Sequence, residues 1–328
     1  MPKPSESTIA RRPGKHTPNR PASPPAREVD YKETIWMQMG KNRQSYMLMA
    51  PYFILFFAFT VLPVIMAVVL SFTSFNMLQF PQFVGWANYT RLFLENEVFI
   101  IALQNTIIFA VVTGPLSFLL CFVFAWVINE LPPKIRAFMT VIFYAPSISG
   151  NAFFIWQYFF SGDRYGLVNG FLMGFGLLSE PINWFRDGRF ILPILLIVQL
   201  WMSLGVGFLA FIAGLQTVDR ALYEAGAVDG IRNRWQELWF ITLPSMKPQL
   251  LFAAVMQITT SFAVADIVTV LAGLPTVNYA GDTIVTHLMD IGWIRFEMGY
   301  ASAVATILFL LMVGTNKGVQ RLLRKVGT

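Results

Sequence analysis

Apolar positions in this chain do not alternate with polar ones. They run on in blocks free of charge, at Gln44 to Thr90, Val98 to Asn129, Ala137 to Gly162, Phe190 to Val218, Pro248 to Ala265 and Met298 to Asn316. Each block can supply the roughly 17–25 residues an α-helix needs to cross about 30 Å of hydrocarbon. A charge left in lipid is expensive, which explains why the blocks exclude it so completely. The pattern predicts an all-α integral membrane protein with six transmembrane helices. These start near Tyr46 and end before Phe75, then cover about Phe99 to Ile128, Ala137 to Phe160, Phe190 to Gln216, Gln249 to Gly273 and Met298 to Val319. Pro132 and Pro133 make the turn between the second and third. Leu167 to Leu178 reads as a short helix at the membrane surface, with Tyr165 and Trp184 at the interface.

Charge gives the orientation. With the N-terminus inside, the inner segments carry 19 of the 24 Lys and Arg residues and the outer ones carry Arg91, Arg164, Arg186, Arg189 and Arg295. That bias predicts both termini in the cytoplasm of a multi-pass membrane protein. It also accounts for the net charge of +6, so no nucleic-acid partner is expected. The first 30 residues hold seven prolines among Ser, Arg and Lys, without an apolar run. Residues 1–45 are therefore expected to form a disordered basic tail with no cleavable signal peptide, and 46–328 a single membrane domain.

Overall, 13% of the 328 residues are charged, about half the usual share of soluble domains, roughly 25%. The single cysteine, Cys121, lies in an apolar block, and His16 and His287 are the only histidines. No disulfide framework, metal site or HExxH hydrolase arrangement is expected. No G-x-x-x-x-G-K-[ST] loop occurs, so no nucleotide-hydrolysing site is expected either.

The segment between the fourth and fifth blocks, within residues 217–248, is more elaborate than a connection requires. It reads DRALYEAGAVDGIRNRWQELWFITLPSMKP from Asp219 to Pro248. Asp219 is placed to cap a helix that runs to Asp229 and stops at Gly230. Asn233 with Gln236 three residues on resembles a capping box for a second helix, with Pro244 expected to close it.

At these residues the chain resembles the permeases of binding-protein-dependent ABC importers, in particular the sugar-transporting maltose and glycerol-phosphate type. Their loop signature is EAA, three residues, Gly, nine residues, Ile, one residue, Leu-Pro. The matching positions are Glu224, Ala225, Gly226, Gly230, Ile241, Leu243 and Pro244, with Asp229 strengthening the likeness. Gly226 replaces the second Ala, and ten residues rather than nine separate Gly230 from Ile241. The extra residue falls at Ile231 to Asn233, where a turn absorbs it at least cost. VGWANYTRLF at Val84 to Phe93, Gln104-Asn105-Thr106, and Tyr165-Gly166 with Asn169 also look like the sugar permeases, whereas Gly273-Leu274-Pro275 stands where many of them read Gly-Gly-Pro.

The resemblance implies a type I ABC importer permease fold and a non-catalytic subunit forming a path for a carbohydrate, most readily an oligosaccharide. It implies a place in the bacterial inner membrane, a loop that seats on a separate ATPase pair using ATP and Mg, no cofactor bound by this chain itself, and a second permease, either a copy or, as in most sugar systems, a different chain, that completes the path. An external binding protein would deliver the substrate, with Trp86, Tyr89, Trp184 and Trp293 on its landing surface. Gln199 and Ser203 match positions that face the sugar in maltose-type relatives. Met202 and Val206 adjoin them, and Thr260, Ser261 and Val264 occupy the corresponding stretch of the fifth helix. Asn105, Asn151 and Gln157 are further polar residues at membrane depth, each of which equally suits a plain interhelical hydrogen bond. Asp266 is an acid in an apolar block toward the outer surface and is a candidate gate. The alternatives are a permease for a non-sugar solute and an autonomous ion- or proton-coupled carrier, the latter lacking the buried charges and internal repeat it would need.

Overall fold

The computed structural model describes residues 43–150 and 152–324. The tail of residues 1–42 and Asn151 lie outside the described residues. Contacts divide the chain between Phe59 and Thr60, and each unit is taken by itself. In the first, α1 (Arg43–Phe56) buries none of its residues, and Tyr52 stacks on Phe56 with ring centroids 6.0 Å apart. A π-helical turn at Phe57–Val61 continues the helix, so that Arg43–Leu70 has the length and hydropathy of a membrane span.

The second unit begins with the rest of that helix, α2 (Leu62–Leu70), and a two-stranded hairpin of β1 (Thr73–Ser74) and β2 (Gln82–Phe83). Then come α3 (Ala87–Leu94), α4 (Glu97–Asn129), α5 (Pro133–Ile148), α6 (Phe154–Phe159) and α7 (Leu167–Gly174). They are followed by α8 (Gly188–Met202), α9 (Val206–Thr217), α10 (Arg220–Val228) and α11 (Arg234–Glu237). The last are α12 (Lys247–Phe262), α13 (Asp266–Leu271), α14 (Ile284–Met289) and α15 (Met298–Arg324). The 33-residue α4 is the central pillar, packed against α8, α9 and α12, while α15 packs on α12 and α2. Phe122, Phe208, Phe211, Met246 and Leu250 fill one end of this bundle, Ile191, Leu195, Val198 and Val268 its middle, and Leu92, Phe99, Ile284 and Tyr300 the other end. Helices approach closely at Gly214, where an added Cβ would lie 2.8 Å from Met246 Cε, the small-residue contact that replaces hydrophobic drive inside a membrane.

Three of the expected helices are interrupted. Among the described residues, five helical segments are long and apolar enough to span: Arg43–Leu70, Glu97–Asn129, Gly188–Thr217, Lys247–Leu271 and Met298–Leu323. The third block is divided into α5 and α6, because Ser149 turns extended (φ −85°, ψ 95°) where Ser149 and Gly150, both poor helix formers, adjoin Pro146. The fourth and fifth helices are also interrupted, at Ser203–Gly205 and at Ala263–Ala265. The surface helix expected at Leu167 to Leu178 is present as α7, and α3, which composition did not flag, follows the hairpin.

The segments outside the loop that carried the family likeness are side-chain clips on irregular backbone. Asn88 Nδ2 donates to Ser71 O (2.8 Å) and Thr73 O (2.9 Å), and Tyr89 Oη meets Ser71 Oγ at 2.7 Å. Asn105 Nδ2 holds Tyr279 O and Asp282 O, so this residue fastens the turn before α14. Asn169 Nδ2 donates to three carbonyls, of Ser161, Asp163 and Ile182, while its Oδ1 accepts from Ile182 N and Trp184 Nε1. Trp184 is consequently buried, not part of a landing surface, whereas Trp86 and Trp293 are 69% exposed.

A neutral histidine closes the end near α14. Asn96 Oδ1 accepts from Phe99 N (2.9 Å), which fixes the amide so that Nδ2 donates to Tyr300 Oη (2.8 Å) and to His287 Nε2 (3.1 Å). Nε2 is thus an acceptor, and burial pushes the imidazole down to about 4 against an ordinary value of 6.5. The stabilisation from the neutral ring is complete above pH 6.5 and is lost as pH falls toward 4, since the unfolded chain binds the proton first. Thermal unfolding of His287→Gln, which keeps an acceptor, is expected to show a much smaller decrease across that window than the unaltered chain.

Candidate functional site

The loop between α9 and α12 is a rigid helix–turn–helix. Asp219 Oδ1 accepts from Ala221 N at 3.0 Å and starts α10. At its end, Ile231 N bonds Gly226 O (2.9 Å) and Gly230 N bonds Ala227 O (3.3 Å), with Gly230 at φ +92°. This is a Schellman ending, whose left-handed position glycine occupies without the ~1 kcal/mol a side chain costs there. Asn233 Oδ1 then accepts from Gln236 N (2.8 Å), and Gln236 Oε1 reaches back to Arg232 N (2.9 Å), one residue before the expected capping-box donor. Ile231 to Asn233, the expected place of the extra residue, are non-helical.

Pro244 does not close the second helix. A π-helical turn at Leu238–Thr242 follows α11 and leads into a further helical turn, Leu243–Ser245. Leu243 N bonds Leu238 O, five residues back, so the ladder has already shifted where proline offers no donor.

The predicted coupling residues separate into two sets. Glu224, Ala225 and Asp229 are exposed on α10, while Gly226 and Ile241 are buried and Leu243 and Pro244 half-buried. Gly226 sits against Ile241 and Ile231, and Tyr223 Oη meets Thr242 Oγ1 at 2.9 Å. One face of α10 is thus locked to the π turn and the other is free. The assembly is tied to the bundle by Arg234, which bonds Glu130 (2.9 Å) and Glu237 (3.3 Å), and by Trp235 on Trp126 with centroids 5.4 Å apart. Between α10 and the end of α4 lies a cavity of about 750 Å³, with Glu224, Arg136 and Arg220 in its walls.

The breaks in the two helices make a second site. A cleft of about 230 Å³ is lined by Tyr144, Ser147, Gln199, Met202, Ser203, Val206, Met256, Gln257 and Thr260, among others. Five of the seven path candidates therefore meet. Ser261 and Val264 do not: Ser261 Oγ donates to Gln257 O beside Gly114, and Val264 is packed among Phe109, Ile191 and Leu195 while its carbonyl accepts from Thr283. Ser261 is turned away by the 100° that separates it from Thr260, whereas Val264 lies past the end of α12 at Phe262, in the non-helical break.

Gln257 was not singled out from sequence. Its Nε2 donates to Ser203 O and Cys121 Sγ, both at 3.1 Å, and its Oε1 accepts from Ser117 Oγ at 3.1 Å. It fastens α12 to α4 and to the Ser203 carbonyl where α8 ends, which also accepts from Gly205 N at 2.8 Å. The available signal was an amide at membrane depth, on the same block as Thr260. Gln199 Nε2 reaches Thr260 O at 3.4 Å. Gln157 is exposed on α6, and Asp266 is exposed in the first turn of α13 after the break, where a carboxylate is favoured by the helix dipole, instead of lying inside a continuous helix.

A membrane bundle of this topology, carrying this loop, is the permease part of an ABC transporter, and the chain belongs to that family of inner-membrane transport subunits. It is 30% identical over 280 residues to the probable ABC transporter permease protein YesP of Bacillus subtilis (strain 168), covering 83% of this chain and 87% of that protein. It is 33% identical over 217 residues to the lactose transport system permease protein LacF of Rhizobium radiobacter, covering 64% and 70%. Crystal structures of a bacterial ABC transporter involved in import of the acidic polysaccharide alginate, one of them with an alginate pentasaccharide-bound periplasmic protein, share its fold. Their TM-scores are 0.70 and 0.69 at 24% identity, over 90% of this chain and 100% of theirs. No protein-family model matches the chain.

Proposed function

We propose that the chain forms one half of the translocation path of an ATP-driven importer for a carbohydrate, most readily an oligosaccharide. The observation that carries the reading is the locked helix–turn–helix of residues 219–245, with Glu224, Ala225 and Asp229 free on its outer face. A rigid body of this kind transmits displacement, which a flexible loop does not. ATP and Mg belong to a separate ATPase pair seated on that face, a second permease of different sequence supplies the other wall of the path, and a binding protein delivers the sugar from outside. Lactose and alginate, named for related transporters, support the carbohydrate class.

The membrane reading has six crossings with both termini cytoplasmic. The third is the interrupted pair α5 and α6, neither of which reaches 30 Å alone: 16 residues of α5 rise about 24 Å. Lys134 and Arg136 at its start keep the positive charge inside.

Charge reversal at Glu224 tests the coupling role. Glu224→Lys is expected to lower co-purification of the ATPase and uptake together, by about tenfold if roughly 1.4 kcal/mol of docking is lost. Wild-type assembly together with wild-type uptake would remove the coupling role from this helix.

A further inference from the structure

The relatives named above divide on one property of the cargo, lactose being neutral and alginate acidic, so kinship does not decide it. The walls of the cleft do. Tyr144, Gln199, Met202, Ser203, Met256 and Thr260 offer hydroxyl, amide and thioether groups and no charge at neutral pH.

Basic residues on the same helices stand at their ends. Arg136 precedes Tyr144 by eight residues, Arg189 precedes Gln199 by ten, and Lys247 precedes Thr260 by thirteen. At 1.5 Å per residue those are about 12, 15 and 20 Å along the axes. Arg136 donates to Leu131 O, and Arg189 is paired with Asp187 at 2.6 Å. The charge nearest Thr260 along its own chain segment is negative: Asp266, exposed six residues on.

We infer that the path takes an uncharged carbohydrate and rejects sugars bearing carboxylate, sulfonate or phosphate; this rests on the carbohydrate reading above. An anion taken out of water without a cation beside it costs several kcal/mol. A neutral sugar loses nothing of the kind. Its hydroxyls find donors and acceptors on Gln199 and Thr260, and its apolar ring face finds Met202 and Met256.

Charge-selective labelling in the complete importer reads the potential of the path directly, with the second permease present. The single native cysteine, Cys121, is buried, so Thr260→Cys introduces one reactive thiol. Its rates with trimethylammonium-ethyl and with sulfonatoethyl methanethiosulfonate are each divided by the rate with a small free thiol. The expected ratio favours the cation at least about tenfold, Asp266 being the charge nearest Thr260 along the segment. Adding Asp266→Asn is expected to bring that ratio down severalfold. A ratio at or below one overturns the inference, and so does failure of both reagents to react, which would remove Thr260 from the path.

Uptake by the unaltered importer separates this inference from the reading beneath it. Neutral oligosaccharide carried at least tenfold faster than oligosaccharide of uronic acids is the expected result. Preferential uptake of the uronates overturns neutrality and leaves the carbohydrate reading standing, whereas uptake of no sugar overturns both.

Discussion

Leucine at position 226 is expected to uncouple the importer while leaving the membrane bundle folded. A Cβ on Gly226 would lie 2.6 Å from Ile241 Cδ1 and 3.1 Å from Ile231 Cδ1. Overpacking of this sort costs about 1–3 kcal/mol. The nine-residue α10 has little else to hold it, since its main further tie is the hydroxyl pair of Tyr223 and Thr242. It therefore lifts from the π turn before the bundle yields. Uptake is expected to drop at least about tenfold, the factor matching 1.4 kcal/mol, with thermal unfolding in detergent unchanged. Gly226→Ala is expected to stay near the unaltered level. Ile241 Cδ1 is the end of a flexible side chain and can swing aside, and alanine recovers roughly 0.8–1 kcal/mol of helix propensity. Undiminished uptake by the leucine variant would show that α10 does not act through its seat on the π turn.

Gln257→Leu is expected to damage both stability and transport. The amide serves three partners, Ser203 O, Cys121 Sγ and Ser117 Oγ, on two other helical segments. Interhelical hydrogen bonds in membranes average about 0.6 kcal/mol and reach about 1.7, so losing three costs about 2 kcal/mol. A loss of about 2 kcal/mol lowers Tm by roughly 4–8 °C for a domain of this class. The carbonyl of Ser203, at the break between α8 and α9, keeps Gly205 N (2.8 Å), so the loss falls on the ties between α12, α4 and the end of α8. Thr259→Val is the control: its hydroxyl donates only to Val255 O on its own helix, and neither Tm nor uptake is expected to move. Equal melting of the Gln257 variant and the control would show that the network contributes nothing to the fold.

The two sites were legible to different degrees. Gly230 was readable as a helix stop because only backbone geometry is at issue, and the left-handed φ of +92° follows from local sequence. Asp219 and Asn233 were readable as caps for the same reason. Pro244 was misread, since its tolerance depends on a π turn whose existence is a tertiary matter, set by Leu238, Ile241 and Thr242 packing inward. In the cleft, Gln199, Met202, Ser203 and Val206 could be placed together by spacing. Ser261 could not be told from Thr260, because the face α12 turns to the cleft depends on how it docks on α4 and α9, and Val264 could not, because the helix stops at Phe262.

Lipid imposes a one-dimensional condition, that charge stay out of the hydrocarbon, and this condition is written residue by residue. The sequence alone therefore determined the membrane class, the ends of α4 and α15 to within a few residues, and the loop that carries the family signature. The tertiary structure decided where helices break, at Ser149–Gly150, Ser203–Gly205 and Ala263–Ala265. Hydropathy is blind to such breaks, for the backbone groups they free are satisfied by distant partners such as Gln257 and Thr283, whose proximity only packing creates.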